Sequence, residues 1–278
     1  MIHANAGIYP VSAQCNILGV SRATYYWMLE HPEKPKEKDP ITDAVIAVFK
    51  ENRSEYGSPK MKRALEKRGI VASRRRISRI MRENGLVSTY MKKKYKPNKS
   101  VSNAAPLPNV LEREFNGYAP HTHLVSDLTY VRVGKAWNYI CLLVDLYNRE
   151  IVGHAASEHK DANLVKAAFA TLKFPLFDID VFHTDRGSEF DNMAIDEILE
   201  VFDIERSLSK KGCPYDNAVI ESTNRNLKSS KFFQKRFGTT DELRLELNAY
   251  VWWYNNKRIH STLGYMSPVE FREAGMSL

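Results

Sequence analysis

Cysteine is scarce in this 278-residue chain: Cys15, Cys141 and Cys213 lie far apart, with no CxxC or Cys/His spacing. That argues against a disulfide framework or a zinc site and makes a reducing compartment the default. No apolar run approaches the roughly 20 residues needed to cross a bilayer. The opening stretch MIHANAGIYPVSAQC lacks the basic-then-apolar layout of a secretory leader. No unit of roughly 20–50 residues repeats, and no sustained heptad marks a coiled coil. The expectation is a cytoplasmic protein with no membrane partner.

What is present is a core and an uneven charge. Hydrophobic residues at 43% and aromatics at 11% exclude a mostly disordered chain. The net charge of +8 conceals a division. Residues 1–117 hold 22 basic and 11 acidic side chains, whereas residues 118–278 hold 19 basic and 22 acidic ones. Between residues 60 and 99 there are 15 basic side chains and 2 acidic ones. Arg74, Arg75, Arg76 and Arg79 interleave there with the helical apolar stripe Ile77, Ile80, Met81, and Lys92, Lys93 and Lys94 follow. A charge run is often only a solvated face, but basic residues opposite an apolar stripe suit a phosphate backbone.

The front half reads as helices. Residues 9–29 form two short helices around Gly19, with Ser21 as N-cap, which is helix-turn-helix spacing as well as that of a plain helical hairpin. A Pro- and charge-rich link leads to three apolar stripes over about 41–87. The back half turns to β-branched and aromatic segments at 123–133, 137–146 and 150–156, jointed by Gly134-Lys135 and Asn148-Arg149. Helices at 161–173, about 189–202, 217–232 and 241–257 then alternate with short strands at 179–184 and near 204–208. Three antiparallel strands followed by α-β-α-β-α units is the element order of a ribonuclease-H-like α/β fold.

Acidic residues at strand ends of such a sheet are where metal chemistry collects. Asp127 lies in the first strand, Asp185 follows the fourth, and Glu221 sits one turn into a helix. Three carboxylates from separate elements can hold two Mg²⁺ ions for in-line phosphoryl displacement. With 33 acidic residues in the chain, the spacing alone is weak, and Asp145 rivals Asp127 for the first position. The structural reading of Asp145 is a strand-end turn. His183 reads as a hydrogen-bonded structural histidine before a metal-site one, His260 equally as a DNA contact or not, and Asn217 as a helix cap. Of Trp252 and Trp253, adjacent on a helix, one belongs to the core and the other to a packing surface.

Context adds to the acids. Ser126-Asp127-Leu128-Thr129-Tyr130, His183-Thr184-Asp185-Arg186-Gly187-Ser188-Glu189-Phe190 and Gly212-Cys213-Pro214-Tyr215-Asp216-Asn217-Ala218-Val219-Ile220-Glu221-Ser222 stand in order, with 35 residues between Asp185 and Glu221. Lys228 stands seven residues beyond Glu221, and the chain closes on Trp253-Tyr254-Asn255-Asn256-Lys257-Arg258-Ile259-His260-Ser261-Thr262-Leu263-Gly264-Tyr265. Together these resemble the DDE transposases of bacterial insertion sequences, in particular the second-reading-frame protein of the insertion-sequence-3 family. Leu124 stands where that family usually has Trp, and Thr223-Asn224 where it more often has aromatic residues.

The resemblance implies an α/β fold: a ribonuclease-H-like integrase core, a mixed five-stranded sheet with helices, preceded by small all-α helix-turn-helix-like modules. The implied division is a helix-turn-helix-like segment at 1–36, a basic helical DNA-binding domain at 41–88, a basic linker at 89–117 and the catalytic domain at 118–278. It also implies a polynucleotidyl transferase in which Asp127, Asp185 and Glu221 hold two Mg²⁺ ions, with Mn²⁺ as a substitute. That enzyme would cut at the element's terminal repeats and transfer the strand into target DNA. Lys228 and the basic residues named above would contact DNA. A homo-oligomer, association with the upstream reading-frame product and location at a bacterial nucleoid belong to the same expectation. A non-catalytic DNA-binding remnant and a nuclease for RNA–DNA hybrids are the alternatives.

Overall fold

The computed structural model describes residues 1–31, 38–89, 109–210 and 213–278, and two compact units divide at Thr42. In the first unit, α1 (Ile2–Asn5), α2 (Val11–Ile17) and α3 (Arg22–Glu30) enclose Ile2, Cys15 and Tyr25. Gly19 takes φ +64° at the turn, and the Ser21 hydroxyl accepts the Thr24 N–H at 3.0 Å, capping α3.

The second unit begins with α4 (Thr42–Glu51), α5 (Ser58–Glu66) and α6 (Arg74–Glu83). Their stripes bury Val45, Val48 and Phe49, then Met61 and Leu65, then Ile77, Ile80 and Met81. In α6 the apolar residues recur every three or four positions, so Arg74, Arg75, Arg79 and Arg82 are left on the exposed face and Arg76 is half-buried.

Five strands follow: β1 (His123–Val133), β2 (Ala136–Asp145), β3 (Ile151–Ser157), β4 (Val181–Thr184) and β5 (Glu205–Leu208). They form one mixed sheet in the order β3-β2-β1-β4-β5, antiparallel through the meander and parallel from β1 to β5. One face packs on α7 (Ala162–Phe169) and α8 (Met193–Val201), around Leu124, Cys141, Leu143, Phe169, Phe182 and Leu199. Side chains alternate along a strand, so Val125 and Asp127 belong to the opposite face. There α9 (Ala218–Ser229) lies against β1, and Ser230 ends it. The expected 217–232 helix is therefore two, the second being α10 (Lys231–Gln234).

The tail is α11 (Thr240–Asn256) and α12 (Pro268–Glu273), the latter closed by a Ser267/Glu270 capping box. Asn255 on α11 accepts the Ile151 N–H at 2.9 Å and donates to the Ile151 carbonyl at 2.8 Å. One amide thus occupies a backbone position at the outer strand, where pairing groups would otherwise stay open. Trp253 is buried beside Tyr250, while its neighbour Trp252 is 58% exposed.

The three helices α4–α6 are docked on this tail. The Tyr56 hydroxyl accepts the buried Ile259 N–H at 2.9 Å and donates to the Lys257 carbonyl at 3.3 Å. Arg53 pairs with Glu246, and Lys67 with Glu270 at 2.6 Å. Burial pushes Glu55 up to about 7, against the pull of Arg258, Arg53 and Lys60. It draws Lys60 down to about 7, with Arg258 adding to the effect. His260, weighed above as a DNA contact, is instead buried here, hydrogen-bonded to Arg258 at 2.8 Å and edge-on to Tyr254.

The end of the expected linker also belongs to the core. Leu111 is buried, the Val110 N–H donates to Ser207 at 2.9 Å, and Arg113 pairs with buried Asp216 at 2.6 Å.

Replacing Tyr56 with Phe removes one oxygen and leaves the Ile259 N–H buried without its acceptor. The expected cost is about 1–3 kcal/mol, read as a lower urea midpoint for the purified chain. An unchanged midpoint would show that the hydroxyl adds nothing to the docking.

Candidate active site

The parallel register between β1 and β4 sets Val125 opposite His183. Two residues further along each chain stand Asp127 and Asp185, so the pairing that aligns the strands also carries the two acids to the same end of the sheet. β4 stops at Thr184, and Asp185 begins the loop that follows. Its Oδ1 accepts the Gly187 N–H at 3.0 Å. Gly187 has a local reason to be glycine, because a Cβ there would meet the Glu189 carboxylate at 2.5 Å. Glu189 is itself buried and paired with Lys160 at 3.0 Å.

Asp127 is the more constrained acid. Its Oδ1 accepts the Leu128 N–H at 2.8 Å, and its Oδ2 accepts the side-chain amide of Asn224 at 2.9 Å. Burial, with Asp185 adding to it, pushes its carboxyl up to about 7 against the opposing pull of Asn224, Leu128 and Lys228. The carboxyl is thus crowded by a second acid and only partly compensated by hydrogen bonds.

Helix α9 brings the third acid to the same neighbourhood. Glu221, Asn224 and Lys228 are three and seven residues apart, which places them on one helical face at about 100° per residue. Lys228 lies near Asp127, and burial lowers its pKa against the raising influence of that acid. Burial raises Glu221, and Arg225 lowers it. Glu221 stands one turn before Asn224, and Asn224, not Glu221, meets Asp127. Among the described residues no three His, Cys, Asp or Glu side chains converge closely enough to hold a metal. The structure therefore joins Asp127 to Asp185 and places Glu221 on the facing helix without closing the set.

The remaining candidates have other partners. Both oxygens of Asp145 accept backbone N–H groups, from Tyr147 and His121, each at 2.9 Å, which makes it a turn residue. His183 lies between the hydroxyls of Ser207 and Ser209 at 2.8 and 3.1 Å, and burial lowers its pKa to about 4. Asn217 stands at the N-cap of α9, but its amide reaches the Ser126 carbonyl at 3.4 Å and makes no cap bond. The residue missed from sequence is Asn224: nothing in an Asn on a helix announces that its amide serves a strand carboxylate. Away from the acids, Arg74, Arg75 and Arg79 stand on the exposed face of α6, with Arg76 half-buried. Lys92, Lys93 and Lys94 lie outside the described residues.

Known families overlay this arrangement. Two models described as integrase core domain match residues 117–214 and 202–268, and one described as HTH-like domain matches 36–94. The chain is 34% identical over 265 residues to the 31 kDa protein of insertion element IS600 from Shigella sonnei, covering 93% of this chain and 97% of that one. It is 30% identical over 251 residues to the transposase of IS904 from Lactococcus lactis, covering 88% and 99%. The transposase InsF of IS3A from Escherichia coli is 26% identical over 279 residues, covering 97% and 96%. The chain belongs to the IS3 family of transposases.

Its core is accordingly of the integrase, ribonuclease-H-like kind. The transposase also aligns with the catalytic core of HTLV-2 integrase, solved in complex with magnesium, at 17% identity and a TM-score of 0.43 over 56% of this chain and 98% of that one. The HTH-like match falls on α4–α6 of the transposase, the basic helical segment expected at 41–88. No helix among its described residues is long and apolar enough to cross a membrane.

His183 gives this site a pH signature. Its folded pKa of about 4 lies below the ordinary value near 6.5. Its contribution is thus complete above about pH 6.5 and lost as pH falls through about 4. With the full shift this amounts to on the order of 3 kcal/mol. His183→Gln removes the titration, so the stability gap between the transposase and this variant should narrow as pH falls across that window. A gap constant from pH 7 to 4, measured by urea unfolding, would contradict a neutral buried imidazole.

Proposed function

We propose that this transposase cuts and joins DNA through Asp127, Asp185 and Glu221. The observation that carries the reading is the β1–β4 register, which puts Asp127 beside Asp185 under the helix that bears Glu221 and Lys228. The donor set suits a hard, oxygen-seeking divalent cation such as Mg²⁺, or Mn²⁺ in its place. Crowding of the Asp127 carboxyl by Asp185 is the kind of strain that a cation relieves. With Glu221 drawn in from the facing helix, Asp127, Asp185 and Glu221 would hold two ions, which when bound supply charge neutralisation and nucleophile activation at a scissile phosphate.

The chain's own residues do the rest by position. Asn224 fixes the orientation of the Asp127 carboxylate through Oδ2. Lys228, partly withdrawn from water beside Asp127, offers its ammonium to a phosphate oxygen where the interaction is less screened than on open surface. The α6 arginines, with Lys92, Lys93 and Lys94, would hold the duplex backbone away from the reacting end. Water would be the nucleophile at the element end, and the freed 3′-hydroxyl the nucleophile at the target, so no covalent bond to the protein is needed. Such end-pairing chemistry calls for more than one copy of the chain, and an upstream-frame partner would add to its DNA grip.

The experiment is a strand-transfer assay with labelled element ends and Mg²⁺. Asp127→Asn, Asp185→Asn and Glu221→Gln should each lower cleavage and joining by at least about a hundredfold, as removal of a charge-stabilising group does in other active sites. Their unfolding midpoints should remain near that of the parent. Full activity in Asp185→Asn would return the chain to the class of DNA-binding proteins. Activity confined to RNA–DNA hybrids would make it a hybrid nuclease.

A further inference from the structure

Past Val125, β1 has no β4 beside it, and past Tyr130 and Tyr139, where β3 ends at Ser157, it runs on with β2 as a short hairpin bridged at Val133 by Phe237. Two large aromatic side chains stand there in solvent: Tyr130 is 51% exposed and Trp137 is 49% exposed. The register pairs Tyr130 with Tyr139 and Arg132 with Trp137, so Tyr130 and Trp137 are diagonal neighbours across the hairpin. Their rings meet edge to face at 5.1 Å. Each also carries a cation: Lys228 lies 5.1 Å from the Tyr130 ring centroid, and Arg132 lies 4.6 Å from that of Trp137.

The result is a stripe of Lys228, Tyr130, Trp137 and Arg132. Tyr130 and Arg132 leave the sheet on the face opposite to that of Asp127. Lys228, close to both the Tyr130 ring and Asp127, is the link to the carboxylates. Half-exposed aromatics serve no core, and cations at both ends of an aromatic pair match a strand in which bases alternate with phosphates. Every base has a face to stack, so such a platform needs no particular sequence.

We infer that the Lys228–Tyr130–Trp137–Arg132 stripe binds the unpaired nucleotides next to the scissile phosphate, stacking bases on Tyr130 and Trp137 and holding phosphates with the two cations. This rests on the reading of Asp127 and Asp185 as the cutting centre, and it adds that the DNA end must fray to reach them. A protein contact, such as a second copy of the chain, would not need a cation at each end of the aromatic pair.

The probe is a fluorescein-labelled 30-base-pair duplex with three unpaired thymidines at one end, compared by anisotropy with the fully paired duplex. The full chain should bind the frayed probe about tenfold more tightly, the scale of one base–aromatic stack. Tyr130→Ala and Trp137→Ala should lose that preference, whereas Tyr130→Phe and Trp137→Phe keep it, and circular dichroism should show all four folded. 5-Iododeoxyuridine at the unpaired positions should crosslink to the hairpin peptide. Asp185→Asn should keep the preference and lose cleavage, so loss of one property does not stand for the other. Equal affinity for the two probes, or a preference that survives both alanine variants, would overturn the inference. So would an alanine variant that changes only the oligomeric state.

Discussion

The parallel pairing of β1 with β4 is the constraint on which the chemistry depends. It covers only three residue pairs, His123–Val181 to Val125–His183. A slip of one residue would send Asp127 and Asp185 to opposite faces, because side-chain direction reverses at each position. What fixes this short register is burial on both sides of it. Leu124 and Phe182 enter the core with α7 and α8. On the other side His183 is held between Ser207 and Ser209. The neutral histidine is thereby part of the alignment: β5 supplies its partner Ser207, and the next pair along β4 and β5, Thr184–Leu208, ends where Asp185 begins.

Helix α9 acts as a second ruler against the first. Its Asn224 bonds Asp127, so the rotation of the helix about its axis is set by a strand carboxylate. Glu221 and Lys228 then follow on the same face from the helical repeat alone. Asn217 at the start of the helix bonds the Ser126 carbonyl, and Asp216 just before it takes Arg113 and the Lys210 N–H. Both residues tie the helix start to neighbouring chain segments instead of capping the helix. The position of Glu221 is therefore inherited from several polar contacts outside itself. Asn224 contributes the amide that now occupies one oxygen of Asp127.

Much of this was legible in the residues, for local reasons. The strands announced themselves by β-branched alternation, the joints at Gly134 and Asn148-Arg149 by turn chemistry, and α3 by the Ser21 cap. The residues around each acid and the element order pointed to the sheet and to the acids on it. What could not be read were contacts between groups distant in sequence. Tyr56 and Ile259 are 203 residues apart, and Asn255 and Ile151 are 104 apart. A single hydrogen bond leaves no periodicity. Arg113 looked like one more charge in a polar stretch until its partner Asp216 was placed. Asn224 looked like a departure from the family pattern, yet it is the residue that touches the first acid.

Docking of α4–α6 on the tail changes what the basic front half can do. Were these helices joined to the core only by residues 90–108, their grip on DNA would be independent of the reacting end. Tyr56, Arg53 and Lys67 instead fix them to Ile259, Glu246 and Glu270, within the unit that contains the sheet. On the proposed function, a backbone held by α6 would be placed relative to α11 and α12, and α11 is in turn clamped to β3 through Asn255. The chain of contacts runs from the arginine face to the sheet edge without passing through the linker. Positive charge on α6 and carboxylates on β1 and the loop after β4 are opposite in sign, and they stand at separate places within one compact unit. The half-buried Glu55 and Lys60 and the buried Arg258 and His260 lie inside that link. Withdrawing such charges from water is costly, and its structural consequence is that the basic face of α6 and the acids on the sheet belong to one compact unit.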